Sequence, residues 1–161
     1  MKKIILKKNK GIALVSDKDF KNLNKFVWSL DKDGYASRHD WSGPKIRLIF
    51  MHRLIMGEPK GIEVDHKNHQ QLDNQRSNLR LATHQQNCFN RQKGKNTSSI
   101  YKGVSWKAKD KKWWSKIKKN GKCFSLGYFH NQRWAAMAYD ITAKDLFGSF
   151  AKLNFPNALF G

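Results

Sequence analysis

The 161 residues carry 32 Lys and Arg against 12 Asp and Glu, a formal net charge of +20, with 39% hydrophobic and 12% aromatic residues. A compact chain that basic repels itself unless a polyanion neutralises it, which makes nucleic acid the natural partner. Two distant cysteines, Cys88 and Cys123, exclude a disulfide scaffold and a cysteine-based zinc finger.

Residues 1–93 and 94–161 each carry a net charge of +10, so both halves are equipped to touch phosphates. Aromatics are interleaved with the lysines, unlike a basic membrane helix or a disordered basic tail. Met1-Lys2-Lys3-Ile4-Ile5-Leu6 starts like a signal peptide but returns to Lys7-Lys8 before an apolar core develops. No stretch reaches transmembrane length. A cytoplasmic protein without membrane association is expected.

Ile4–Leu6 and Ile12–Val15 read as strands around a Lys-Asn-Lys-Gly turn. Ser16 is placed to cap a short helix ending at Leu23, with Asp19 completing a capping box. Val27–Leu30 and Tyr35–Arg38 flank Asp33-Gly34, a hairpin signal, and Ile46–Phe50 is another strand. A short helix over His52–Met56 ends at Gly57 and Pro59. Ile62–Val64 leads as a strand into Asp65-His66. A polar loop runs to Asn78, Leu79-Arg80-Leu81 returns as a strand, and a helix begins at Thr83 and continues to about Gln92.

Residues 93–99, small and polar, read as a linker. Beyond it, 101–106, 113–118 and 122–129 alternate as strands, with Asn120-Gly121 between the last two. From Gln132 the period becomes helical, through Trp134, Ala135, Ala138, Ile141, Ala143 and Leu146, until Gly148. Three antiparallel strands backed by one helix are expected there. The fold class is α+β.

Phosphodiester cleavage needs a nucleophilic water, a base, a cation for the developing charge, and a rigid frame. Asp65-His66 sets a carboxylate beside an imidazole. Neighbours on a regular strand point to opposite faces, so the two converge only where the strand breaks. Val64-Asp65-His66, Leu72-Asp73-Asn74, Ser77-Asn78-Leu79-Arg80, Ala82-Thr83 and Gln86-Asn87 resemble the HNH family in its phage and intron homing-endonuclease branch, over roughly residues 46–92. The resemblance implies a ββα-metal core at about 62–92 within a nuclease domain spanning 1–93. By position, it implies that His66 is the general base and that Asn78 ties the loop to the strand ends and orients that base. Asp65 and Asn87 would be the ligands of one divalent metal, and oxygen donors suit Mg²⁺ or Mn²⁺. The loop Lys67-Asn68-His69-Gln70 departs from the acidic or glycine-containing turn usual in the branch. Arg53, in a His-Arg-Leu that recurs in the family, either holds a phosphate or lies on a solvated helix face.

Tyr101-Lys102-Gly103-Val104, Leu126-Gly127-Tyr128-Phe129, Ala138-Tyr139-Asp140 and Lys152-Leu153-Asn154-Phe155-Pro156 resemble the Apetala-2/ethylene-response-factor DNA-binding domain. The resemblance covers 101–157, after a linker at 94–100, and implies a sheet lying in the major groove with the helix as a brace. Nine lysines and one acidic residue lie between Lys102 and Lys122. Lys102, Ser105, Lys107, Lys116, Lys118 and Ser125 stand where plant members place their base-reading side chains. Lysine lacks the bidentate fork of arginine, so readout leans on phosphates. Trp113, Trp134, Tyr139 and Phe155 are expected in the core, while Trp106 and Trp114 are open to DNA.

Together these readings describe a monomeric, metal-dependent, site-specific endonuclease acting on double-stranded DNA, with no small-molecule substrate, working inside the host cell of a phage or bacterium. The competing reading is a catalytically inactive DNA-binding regulator. Residues 1–45 have no role assigned by the sequence.

Overall fold

The computed structural model describes residues 1–57, 60–94 and 97–157. Pro59, and Lys95 and Asn96 of the expected linker, lie outside them. The chain divides into two compact units, Met1–Gln85 and Gln86–Gly161.

In the first unit, β1 (Lys2–Ile5) and β2 (Ile12–Val15) pair antiparallel, alternation turning Ile4, Ala13 and Val15 inward. The helix α1 (Asp17–Leu23) follows Ser16, but the Ser16 hydroxyl makes no capping bond. It accepts the Arg76 backbone N–H at 2.9 Å instead, while Asp19 takes the Arg76 guanidinium at 2.9 Å. A loop distant in sequence thus competes successfully for the expected cap.

Next come β3 (Ser29–Leu30), β4 (Ala36–Asp40) and β5 (Arg47–Phe50), an antiparallel meander. Its first turn is built by Asp31, whose Oδ1 accepts the N–H groups of Asp33 and Tyr35 at 2.9 and 2.7 Å. The short helix α2 (Met51–Ile55) leads to β6 (Glu63–His66), β7 (Asp73–Asn74) and β8 (Leu79–Ala82). β6 and β8 form an antiparallel pair, whereas β7 runs parallel to β2, with Val15 opposite Asn74. One apolar cluster joins Ile4, Leu6, Ala13, Val15, Leu23, Trp28, Ala36, Ile49, Met51, Ile55, Val64 and Leu79. Trp28 is fully buried, and its indole N–H donates to the Leu23 carbonyl at 2.8 Å. Residues 1–45 therefore supply much of the core on which β6 and β8 rest.

The helix α3 (His84–Asn90) contains the division between the units. In the second unit, β9 (Val104–Lys107), β10 (Lys112–Lys119) and β11 (Lys122–Phe129) form an antiparallel sheet in the order β11-β10-β9, with α4 (Gln132–Phe147) packed on one face. Ser98 and Ser99, expected in the linker, belong to this unit. The Ser98 hydroxyl accepts the Trp106 N–H at 2.9 Å, and the Ser99 hydroxyl accepts from Tyr101 N–H and Gln132 Nε2 at 2.9 and 2.8 Å. Small polar residues here satisfy strand and helix ends rather than form a free tether.

The helix α4 sits in a different phase from the one expected. Ala135, Ala136, Tyr139, Asp140, Ala143 and Phe147 face inward, while Trp134 is 64% exposed and Ile141 lies outward. Ala135, Ala136 and Ala143 let the helix come close to the sheet, Tyr139 and Phe147 fill the space beside them, and Trp134 and Ile141 are turned to the other side. Asp140, with no exposure, accepts from Asn154 N–H and Nδ2 at 2.9 Å and from Phe155 N–H at 2.7 Å. Hydrogen bonds to a charged group are each worth about 1.5–3 kcal/mol net. Asn154 in turn accepts the Lys102 N–H at 2.7 Å and donates to the Lys102 carbonyl at 3.1 Å, tying the chain end to the approach to β9.

Candidate functional site

Asp65 and His66 are the last two residues of β6, paired with Arg80 and Leu79 across the hairpin, and the strand gives way to a turn at Lys67. The two side chains meet different neighbours. The buried Asp65 carboxylate faces Arg80, whose Nε and Nη2 approach Oδ2 at 2.8 and 2.6 Å. The cross-strand register brings this pair together.

His66 is buried among rings. Tyr35 lies 5.8 Å from it, and His52 meets it edge-on at 5.1 Å with the planes at 71°. Its Nε2 stands 3.4 Å from Asn74 Oδ1. The Asn74 amide nitrogen donates to the Gln71 carbonyl, also at 3.4 Å, and this fixes the oxygen toward the imidazole. With that oxygen facing it, Nε2 is the nitrogen placed to donate to Asn74 when the ring is neutral. Burial pushes the His66 pKa down, with partial opposition from Asn74 and the nearby carboxylates Asp65 and Asp73, and so favours the neutral ring that a general base requires. Burial also drives His52 down to about 3, helped by His66 and Arg53.

Asn74 has no role in the sequence-based expectations. It is fully buried because β7 adds to β2, a parallel pairing between segments far apart in the chain. The Leu72-Asp73-Asn74 motif is its only local signal.

The polar loop after β6 is braced by Asn78 and Asp73. Asn78 Oδ1 accepts the Asn68 N–H at 3.1 Å, and its Nδ2 donates to the Asp73 carbonyl at 2.8 Å. The Asp73 carboxylate accepts from Asn68 Nδ2 at 2.8 Å and Gln75 Nε2 at 2.9 Å. His69 takes a positive φ of 63° within this loop. Arg53 donates to the Ile62 carbonyl at 3.3 Å, just before β6. His84 pairs with Glu63 at 2.7 Å.

Among the described residues, no group of three or more His, Cys, Asp or Glu side chains could hold a metal ion. A buried carboxylate fits a hard cation that takes one or two protein oxygens and completes its shell with water and phosphate. Asn87 lies on α3 in the second unit.

The outer face of the second unit's sheet centres on Trp114. Lys107 Nζ and Lys116 Nζ lie 4.3 and 4.5 Å from its ring, and Tyr128 is stacked at 6.3 Å with the planes at 12°. The Trp114 indole N–H donates to Ser125 Oγ at 2.8 Å, and Ser105 is its partner across β9. Lys118 follows on the same face by strand alternation. Of the six side chains singled out on the sheet, Ser105, Lys107, Lys116, Lys118 and Ser125 thus share one face. Lys102 does not join them. Its ammonium donates to the carbonyls of Phe89 and Arg91 at 2.6 and 2.7 Å, and burial lowers its pKa to about 8. It caps the C-terminal end of α3, where unpaired carbonyls and the helix dipole favour a cation.

An antiparallel strand pair that carries a buried Asp-His pair, is joined by a braced polar loop and is followed by a helix is the frame of a ββα nuclease. The chain matches the HNH endonuclease family over residues 50–88. It is 37% identical over 152 residues to an uncharacterised HNH endonuclease of Acanthamoeba polyphaga mimivirus, covering 93% of this chain and 79% of that protein. It belongs to the HNH endonuclease family, whose members cut DNA and generally depend on a divalent metal. Protein 3.8 of Escherichia phage T7 is 31% identical over 94 residues, 58% of this chain and 77% of that protein. An ethylene-responsive transcription factor of Arabidopsis thaliana is 42% identical over 62 residues, covering 37% of this chain and 34% of that protein. No helix among the described residues is long and apolar enough to cross a membrane.

Proposed function

We propose that this protein is a site-specific, homing-type endonuclease that cuts double-stranded DNA at His66 with Mg²⁺ or Mn²⁺ and holds its target with the sheet β9–β11. The observation that carries the reading is His66 itself: buried at the end of β6, with its Nε2 facing the Asn74 oxygen and burial favouring the neutral ring that a general base requires. In this reading His66 takes a proton from water as that water attacks the phosphodiester in line. Asn78 keeps the loop shaped around the strand ends. Asp65, and Asn87 by its place in the motif, would hold the cation, which when bound supplies charge for the leaving oxygen. Ser105, Lys107, Lys116, Lys118 and Ser125 would face the groove, with Trp114 at their centre. Lys102 is left out because its ammonium is already engaged.

The test is conversion of supercoiled plasmid to nicked or linear forms with Mg²⁺ or Mn²⁺, stopped by EDTA. Plasmid that is bound tightly yet stays closed with either metal would favour the inactive DNA-binding regulator. The hold of Arg80 on Asp65 is the observation on that side.

The sheet face carries its own expectation. Neutralising Lys107 and Lys116 together as Lys→Ala should flatten the slope of log K against log salt by about 0.9 for each phosphate no longer neutralised, close to 2 in total. Affinity measured from 50 to 200 mM salt reads this directly. An unchanged slope would remove both lysines from the DNA.

A further inference from the structure

His52 belongs to α2, outside β6, β8 and the loop that make up the site so far. The side chain is only 8% exposed, and its Nδ1 has no hydrogen-bond partner. It sits inside a ring cluster, 5.0 Å from Tyr35, 5.6 Å from Phe50 and 5.1 Å from His66. A position that merely fills space among aromatic rings is served by an apolar side chain such as phenylalanine or methionine, which leaves no nitrogen without a partner. The imidazole therefore brings a standing cost that packing does not offset.

A second sign of looseness lies on the other side of His66. The contact that directs its ring, from Nε2 to Asn74, is long at 3.4 Å. Catalytic hydrogen bonds are often long in an empty site and tighten when substrate is seated.

We propose that His52 is a positioning residue for His66: the two rings move together as the phosphodiester seats, and His52 Nδ1 gains in the loaded site the hydrogen bond it lacks at rest. His52 acts through His66 and transfers no proton itself. Substrate shifts the pair only by as much as it binds the loaded arrangement better, and the hydrogen bond that Nδ1 gains there contributes to that difference.

The comparison is His52→Phe against His52→Gln, each read by single-turnover cutting at saturating DNA, by DNA affinity with the metal removed, and by thermal melting. His52→Phe keeps or raises the melting temperature, binds DNA within about twofold of wild type, and cuts at least about tenfold more slowly. His52→Gln, which restores a polar side-chain end, recovers part of that rate although it packs less well. Cutting by His52→Phe at the wild-type rate overturns the inference, and so does a His52→Gln rate no better than that of Phe. Should phenylalanine prevent folding, His52→Met, flexible and without a strong hydrogen-bonding end, takes its place in the same comparison. The inference rests on the nuclease reading: a wild-type protein that leaves DNA whole ends both, whereas fast cutting by His52→Phe ends this one alone.

Discussion

His66→Ala should reduce DNA cutting by about 10²–10⁴-fold, the usual contribution of a general base, and leave DNA affinity within about 1 kcal/mol of wild type. The separation follows from where the charges lie. Affinity for duplex comes chiefly from lysine and arginine contacts to phosphates, and the buried His66, favoured neutral, adds little to that sum. Its removal has a structural side as well. Asn74 loses the group its Oδ1 faces, and the rings of Tyr35 and His52 lose a neighbour, so some loss of melting temperature is expected. Cutting assayed well below that temperature keeps the two effects apart. A variant that is folded, bound to DNA and still cutting at the wild-type rate would take the base away from His66.

How much of this is legible in the chain depends on the range of the interactions. The hairpin turn at Asp33-Gly34, the Asn120-Gly121 turn and the strands beside them are local, so composition and alternation locate them to within a few residues. Asp65, His66 and Asn78 stand out because their spacing repeats a family pattern. Asn74 and His52 receive no role from the sequence, since each depends on a distant segment. Asn74 needs β2 beside β7, and His52 needs β6 and the Tyr35 turn folded against α2. Arg80 shows the opposite case. Once β6 and β8 are set in register, Asp65 and Arg80 face each other, and that pairing follows from the two strands alone.

The phase of α4 differs from expectation for a similar reason. Helical periodicity weighted by side-chain size favours Trp134, Ile141 and Leu146 as the inner face. The structure keeps the expected Ala135, Ala143 and Tyr139 inside but adds Ala136, Asp140 and Phe147 in place of Trp134 and Ile141, so that alanines lie where the helix comes close to the sheet. The same close approach makes one position unusually sensitive.

Gly103→Ala should unfold the second unit at ordinary working temperatures. Gly103 holds a φ of +78°, in the left-handed region where an L side chain is strained. Space decides the magnitude. An added Cβ would fall on the ring of Tyr139, 2.6 Å from Cγ and nearer still to Cδ2 and Cε2. Neither side can retreat cheaply. Tyr139 is buried in α4 in a cluster with Ile117, Ala143 and Phe147. On the other side, the Gly103 carbonyl accepts the Lys116 N–H at 2.8 Å, and Lys102 beside it is held at both backbone groups by Asn154. Strain and overpacking together should cost about 3–5 kcal/mol, comparable with the whole stability of a small domain. Thermal melting followed by tryptophan fluorescence should show the transition of this unit abolished or strongly lowered, and DNA affinity should fall with it. Gly121→Ala is the control. It has the same φ of +78° in the β10–β11 turn, but no atom lies within 4 Å of the added Cβ, so strain alone, about 1–2 kcal/mol, is expected. If the two variants melt alike, the ring of Tyr139 does not press on Gly103 and the packing of α4 against β9 is looser than its distances imply.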